Sequence, residues 1–282
     1  MIYLTYDQQG LQDGLGAQIQ RVLSIYWICK QHSFGYIHTP IVTNREGTTT
    51  KDLAQFNQSM MLPSDQCSPI RVKKMSSFNL GLIKHYEHQR DDLLIKITFA
   101  HQYIDSHPEI LSQPFPYRFN WIEETLCTPT NIAVHIRRGD VTPTQNNQRF
   151  VDFKYYLDCF IHLETILTQS NISYVLHIYS QGELRSELGT FGRDLTKIKN
   201  ISLHLDEDIN DTFRAFVNAD VLLTGFSSLS YAAAMLRRKG CVLCTPFWHQ
   251  YSNNAICLKK PEDILSNHSK IISALKIDKK LI

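Results

Sequence analysis

Long hydrophobic runs are missing from this chain. No stretch of its 282 residues approaches the roughly 20 apolar residues that a membrane-spanning helix needs. The opening Ile2-Tyr3-Leu4-Thr5-Tyr6 has no basic region followed by an apolar core, so it does not read as a secretory leader. Charge of one sign is also scarce. Lys and Arg number 29 against 27 Asp and Glu, and a net +2 is too small to make nucleic acid the expected partner. Peripheral contact with a membrane stays compatible with it. The seven cysteines are odd in number and scattered, unlike a disulfide framework. Cys241 and Cys244 form a lone CxxC, which an apolar strand explains better than zinc does. A cytoplasmic protein follows, in which the Asn-x-Ser/Thr sequences at Asn57, Asn171, Asn200, Asn210 and Asn267 are silent. Neither a GxGxxG nor a P-loop Lys-Ser/Thr occurs, and no internal repeat or low-complexity tract is visible.

What is present is an ordinary globular composition, 43% hydrophobic and 20% charged, long enough for one large α/β domain or two domains. Residues 2 to 5 read as a strand. They lead through a glycine-bearing loop to a helix over about 16 to 31, with Ile19, Val22, Leu23, Tyr26 and Trp27 on a buried face. Strand, glycine-rich loop and helix is a layout for holding a polar ligand at a helix N-terminus, although by spacing alone a structural tight turn is the better reading. A strand is expected over 36–42, a polar loop over 43–52, a helix over 51–61, extended chain at 70–75, a helix over 76–89 and a strand over 91–100. Pro108, Pro114, Pro116 and Pro129 break regular structure and mark a linker. The lobes are therefore drawn as 1–125 and 126–282.

The second half alternates more cleanly. Strands are expected at 131–137, 174–179, 201–205, 221–224 and 241–245. Helices are expected at 154–169, after 183, and at 211–219, 231–238 and 261–276. In the helix at 154–169, Tyr155, Leu157, Cys159, Ile161, Leu163 and Leu167 supply the apolar positions. This rhythm predicts a doubly wound parallel sheet.

The chemistry concentrates at the end of the 131–137 strand. Ile132, Ala133 and Val134 suit a strand buried on both faces. His135, Arg137, Arg138 and Asp140 then place four ionisable groups within six residues, with Gly139 for a turn. In a twofold pattern His135 and Arg137 point one way and Arg138 the other. Ligands bind at the carboxyl ends of such strands. Two guanidinium forks there suit an anionic ligand; an ion pair of Arg138 with Asp140 is the plainer alternative.

Gly225-Phe226-Ser227-Ser228-Leu229-Ser230 is the second informative stretch. A strand ends, glycine turns the chain, and serines open a helix whose free N–H groups and dipole favour an anion. Ordinary N-capping by Ser227 or Ser228 accounts for the serines as well. Joined to Arg137 on a neighbouring strand end, this helix start would complete a diphosphate pocket. The carboxylates of Asp206, Asp208 and Asp211 lie upstream; one could accept the N1–H and N2–H of guanine, and a solvated helix start is the alternative.

His135-Ile136-Arg137-Arg138-Gly139-Asp140 resembles the HxRRxD motif of the fucosyltransferases that use GDP-fucose, the α1,2 and α1,6 enzymes. Phe226-Ser227-Ser228-Leu229-Ser230 is similar to their SSFS-type motif, and Gly14-Leu15-Gly16-Ala17-Gln18 resembles the GLGNQ loop of the α1,2 group. The three motifs stand in the family's order between residues 14 and 230. The resemblance implies a GT-B-like α/β fold of two Rossmann-like lobes, the donor in the C-terminal lobe and the glycan acceptor on the N-terminal one. It implies inverting transfer of fucose from GDP-fucose with no metal and no cofactor. By the same resemblance Arg137 grips the β-phosphate, with Arg138 beside it. His135 and Asp211 bind guanosine, Ser227 and Ser228 hold phosphate, and Gly14 and Gly16 form the N-terminal loop. Ala17 replaces the family's Asn, Asp13 stands where Gly is frequent, Gly225 is extra, and no Glu closely follows Asp140. Asp140 and Asp13 are the candidates for general base, and α1,2 to galactose is the linkage implied. The alternatives are another fucosyl linkage, another nucleotide-sugar donor, a protein acceptor, or a binding module that takes GDP without turnover.

Overall fold

The computed structural model describes residues 1–8, 13–42, 50–66, 68, 71–88, 91–182, 184, 187, 198 and 200–276, with the side chains of Thr50 and Asp52 left aside. The chain forms two compact units, Met1–Asn120 and Trp121–Ile282. Residues 121–131 go with the second unit because Asn218, Asp220 and Lys239 bind the backbone of Trp121, Glu123, Thr125, Cys127 and Asn131.

The first unit carries a four-stranded parallel sheet in the order β2-β1-β4-β3, made of β1 (Ile2–Tyr6), β2 (Gly35–Tyr36), β3 (Arg71–Ser77) and β4 (Leu93–Phe99). Helix α1 (Leu15–His32) is buried almost throughout, including the expected face of Ile19, Val22, Leu23, Tyr26 and Trp27. Helices α2 (Thr50–Ser59), α3 (Leu80–His85) and α4 (His101–Ser106) complete it. The strand expected over 36–42 stops at Tyr36. Beyond it Pro40 has no N–H to donate, and side chains take over the backbone, Thr5 binding the Ile37 carbonyl and Asn57 binding Ile41 at both N–H and C=O. The helix expected over 76–89 begins only at Leu80. Ser77 still pairs with Phe99 in the sheet, and Asn79 caps the helix by accepting from the Leu82 N–H at 2.9 Å. The loop expected over 43–52 lies outside the described residues up to position 49, and α2 begins at Thr50.

The second unit is a six-stranded, wholly parallel sheet built from β5 (Thr130–His135), β6 (Tyr174–Ser180), β7 (Ile201–Leu205), β8 (Val221–Leu223), β9 (Cys241–Cys244) and β10 (Ile256–Cys257). Its order, β10-β9-β8-β5-β6-β7, is that of the doubly wound dinucleotide-binding folds. β5 lies between β6 and β8, where the winding direction reverses. Helices α5 (Phe153–Gln169), α6 (Ile209–Asn218), α7 (Ser228–Leu236), α8 (Asp263–Ser266) and α9 (His268–Lys276) surround it. The buried side of α5 is Phe153, Tyr156, Leu157, Cys159, Phe160, Leu163, Ile166 and Leu167, a helical stripe that includes the expected Leu157, Cys159, Leu163 and Leu167. Ile161, expected inside, is 38% exposed, because it lies off that stripe. One helix over 261–276 is replaced by two, and β10, too short to show in the sequence, closes the sheet. The helix expected after 183 falls almost wholly outside the described residues.

The described residues thus form two α/β units, each on an all-parallel sheet, as the α/β expectation has it. No helix among the described residues is long and apolar enough to cross a membrane.

Candidate functional site: a cationic strand end at the switch point

The alternation of β5 decides where each charged group goes. Ile132, Val134 and Ile136 join the apolar core with α5. The opposite side belongs to Ala133 and His135, and His135 lies against Phe216 of α6 with ring centroids 5.0 Å apart. The twofold pattern persists past the strand. Arg137 follows His135 to the α6–α7 side, and Arg138 follows Ile136 to the α5 side.

Arg137 places one terminal nitrogen 3.1 Å from the Ser227 hydroxyl and the other 2.8 and 2.7 Å from the two Asp140 oxygens. Its Nε is buried and has no hydrogen-bond partner among the described residues. Ser227 is itself buried and caps α7, its oxygen accepting from the Leu229 N–H at 3.3 Å. Ser228 is the first residue of α7. A fork of donors, a hydroxyl and a helix N-terminus thus converge where β5 and β8 separate. This is a chemical setting for a pair of anionic oxygens, and the Asp140 carboxylate now fills that part.

Gly225 makes the convergence possible. A Cβ there would sit 2.5 Å from the His135 carbonyl oxygen and 3.5 Å from the Arg137 N–H nitrogen. Any side chain would push the two strand ends apart. Gly139, at φ +77°, supplies the turn that brings Asp140 back onto Arg137.

Arg138 has different work from Arg137. It is 2% exposed, donates to Glu187 Oε2 at 2.7 Å, to the Arg137 carbonyl at 2.9 Å and to the Val151 carbonyl at 3.1 Å, and lies over the Phe150 ring. The expected ligand contact from Arg138 is replaced by a structural clamp, and the ion pair expected between Arg138 and Asp140 is made by Arg137 instead. Glu187 carries no motif around it and was not legible as the partner.

The remaining expected residues stand elsewhere. Asp211 is exposed in the first turn of α6, which Asp208 caps by accepting from the N–H groups of Asn210 and Asp211. Asp206 accepts from the Gly182 N–H at 2.9 Å. Among the described residues no group of three or more His, Cys, Asp or Glu is placed to hold a metal ion. In the first unit Asp13 pairs with the buried Arg21 at 2.7 Å and its carbonyl accepts from Gln18. Gly14 precedes α1 with no side-chain cap, and among the described residues nothing lies within 4 Å of where its Cβ would be. Gly16 is buried in the first turn. One contact had no sequence signal: Arg149, from the loop after β5, lies 4.8 Å over the ring of Trp248, which is 47% exposed and backed by Phe226 and Phe247.

His135 has a measurable consequence. Its Nδ1 is buried without a hydrogen-bond partner among the described residues, and burial, helped by the Arg137 charge, pushes its pKa down to about 3. The folded protein holds the neutral ring, while the unfolded chain protonates near pH 6.5, by the usual value of about 6.5 for histidine. Stability from this group is therefore present above about pH 6.5 and falls as the pH drops toward 3, by up to about 1.4 kcal/mol per pH unit. Urea midpoints measured from pH 6.5 to 4 should fall less steeply for His135→Asn than for wild type. Parallel slopes would remove His135 from the account.

No family model matches the chain, and no curated protein matches it. Among solved structures it is similar to a glycosyl transferase family 9 protein from Veillonella parvula, at 11% identity and a TM-score of 0.45, covering 100% of this chain and 97% of that one. It is also similar to alpha,alpha-trehalose 6-phosphate synthase from Burkholderia multivorans, at 10% identity and a TM-score of 0.37, covering 98% of this chain and 64% of that one.

Proposed function

We propose that the chain is a glycosyltransferase that takes GDP-fucose as donor and moves fucose, with inversion and without a metal, to a glycan hydroxyl, α1,2 to galactose. The observation that carries the reading is the Arg137 fork. It is held by Ser227 at the helix cap and already binds two carboxylate oxygens at the spacing a phosphate would offer. The motif order from Gly14 to Ser230 supplies the donor's identity, GDP-fucose.

In this reading the diphosphate displaces Asp140 from Arg137, and His135 and Asp211 face the guanosine. As the glycosidic bond breaks, positive charge grows on the sugar and negative charge on the departing GDP. Arg137 and the α7 dipole stabilise the second of these charges, which is the work a divalent cation would otherwise do. Asp140, once released, and Asp13 are the two carboxylates assigned to accept the acceptor's proton. The acceptor is assigned to the first unit.

The test is GDP release from GDP-fucose over a panel of galactosides, in EDTA. EDTA-resistant turnover with a fucosylated product is the expected result, and linkage analysis of that product names the bond. GDP binding without product on any glycan or protein acceptor would favour a binding module. Failure to bind GDP would overturn the donor assignment.

A further inference from the structure

The two cysteines of the CxxC do not form a pair. Three residues apart on β9, Cys241 and Cys244 point to opposite faces of the sheet. Cys244 instead meets Cys257, which stands directly opposite it in the β9–β10 register. That register brings the two thiols within reach of each other. One thiol is buried and the other exposed, so solvent reaches the pair from the Cys257 side. Interaction with the Cys244 thiol, against some burial and with help from the Lys270 charge, pulls Cys257 down to about 7. The same interaction and its own burial keep Cys244 protonated. A nucleophilic thiolate and a protonated neighbour within reach of it are the two parts of a peroxide-reactive dithiol.

We propose that Cys257 and Cys244 are a modification site for hydroperoxides, with Cys257 the attacking thiol and Cys244 the resolving one. The Cys257 thiolate attacks one peroxide oxygen, the O–O bond breaks, and the departing oxide takes a proton to leave as water or an alcohol. Cys257 becomes a sulfenic acid. Cys244 then attacks that sulfur, the S–O bond breaks, and the hydroxide leaves as water with the Cys244 proton. Two electrons pass from the two thiols to the peroxide, and a Cys244–Cys257 disulfide remains. The bond would tie the base of the loop between β9 and β10, which carries Phe247 and Trp248, the ring that Arg149 covers. This inference does not depend on the donor assigned above.

The full-length reduced protein is treated with hydrogen peroxide, blocked with iodoacetamide under denaturing conditions, and read by intact mass and peptide mapping. The expected product has five of its seven cysteines alkylated, carries a Cys244–Cys257 cross-linked peptide, and on treatment with dithiothreitol gains the mass of two hydrogen atoms and two thiols that a second alkylation labels. In Cys244→Ser the sulfenic acid persists and dimedone labels Cys257. Without peroxide, Cys257 in the wild type should alkylate about tenfold faster at pH 7 than the half-buried Cys127, since the rate follows the thiolate fraction. Oxidation of Cys127 or another thiol while Cys244 and Cys257 stay alkylatable would overturn the proposal. So would cross-linking that appears only in urea.

Discussion

Arg137→Ala is expected to cut the proposed turnover of GDP-fucose by about 100- to 1000-fold, the usual loss when one preorganised donor to a developing anion is removed. The substitution deletes the terminal nitrogens that now meet Ser227 and Asp140, and with them a cation that touches both. It also removes the Arg137 charge that offsets Asp140 beside the incoming diphosphate, so donor affinity should fall together with the rate. Arg137→Lys sharpens the test. It keeps the charge but offers a compact point where the wild type offers a planar fork, so recovery should be partial. The fold should tolerate both changes, because the Arg137 and Asp140 side chains are 24% and 27% exposed and their pair is not a core element. Urea midpoints for the variants close to wild type, together with lost turnover, are the pattern the model requires. An alanine variant within threefold of wild type would remove Arg137 from the mechanism.

How far the sequence carried this picture depended on whether the cause was local. The apolar run Ile132–Val134 and the four ionisable groups after it are local facts, and they located the strand end and its change of chemistry. The twofold pattern also separated Arg137 from Arg138 correctly in direction. What each arginine meets was another matter. Glu187 is 49 residues from Arg138 and Ser227 is 90 from Arg137, and no periodicity reports a contact across such a distance. Gly225 shows the same limit. In the sequence it is an extra residue before the serines; in the fold it is the gap through which the His135 carbonyl passes. Helix α3 was overcalled because Ser76 and Ser77 are neutral in propensity, and pairing with β4 decided their state. The stripe of α5 was misjudged in part because counting every second residue brought in Ile161, which the 3.6-residue period turns outward. Cys257 had no reason to be linked to Cys244 until β10, a strand of two residues, placed them side by side.

Asp220→Ala should cost the second unit about 3–5 kcal/mol, the range for removing one member of a buried ion pair. Asp220 precedes β8 and is fully buried, as is the Lys239 side chain whose Nζ lies 3.2 Å from it. Its carboxylate also accepts the Cys127 N–H at 3.1 Å and the Asn131 N–H at 2.7 Å, so it fixes the chain entering β5. Alanine would strand three donors at once. The Thr125 carbonyl, 2.6 Å from Lys239 Nζ, offsets only part of that loss for the lysine. The Glu123 carboxylate, 61% exposed and 3.7 Å from Lys239 Nζ, screens the lysine only from the solvent side. Most of the cost is thus a poorly compensated buried charge, not a lost attraction, and this yields a second expectation. Lys239→Met should be less damaging in the Asp220→Ala background than in wild type, because in the double variant neither charge is left alone. Additive losses in the urea midpoints would show that the pair is not coupled. A cost below about 1 kcal/mol for Asp220→Ala, at the level of an exposed pair, would show that the carboxylate does not hold β5 and β8 together. Since Arg137 and Ser227 stand just beyond those two strands, a real loosening at Asp220 should also weaken GDP binding, with no substitution at the site itself.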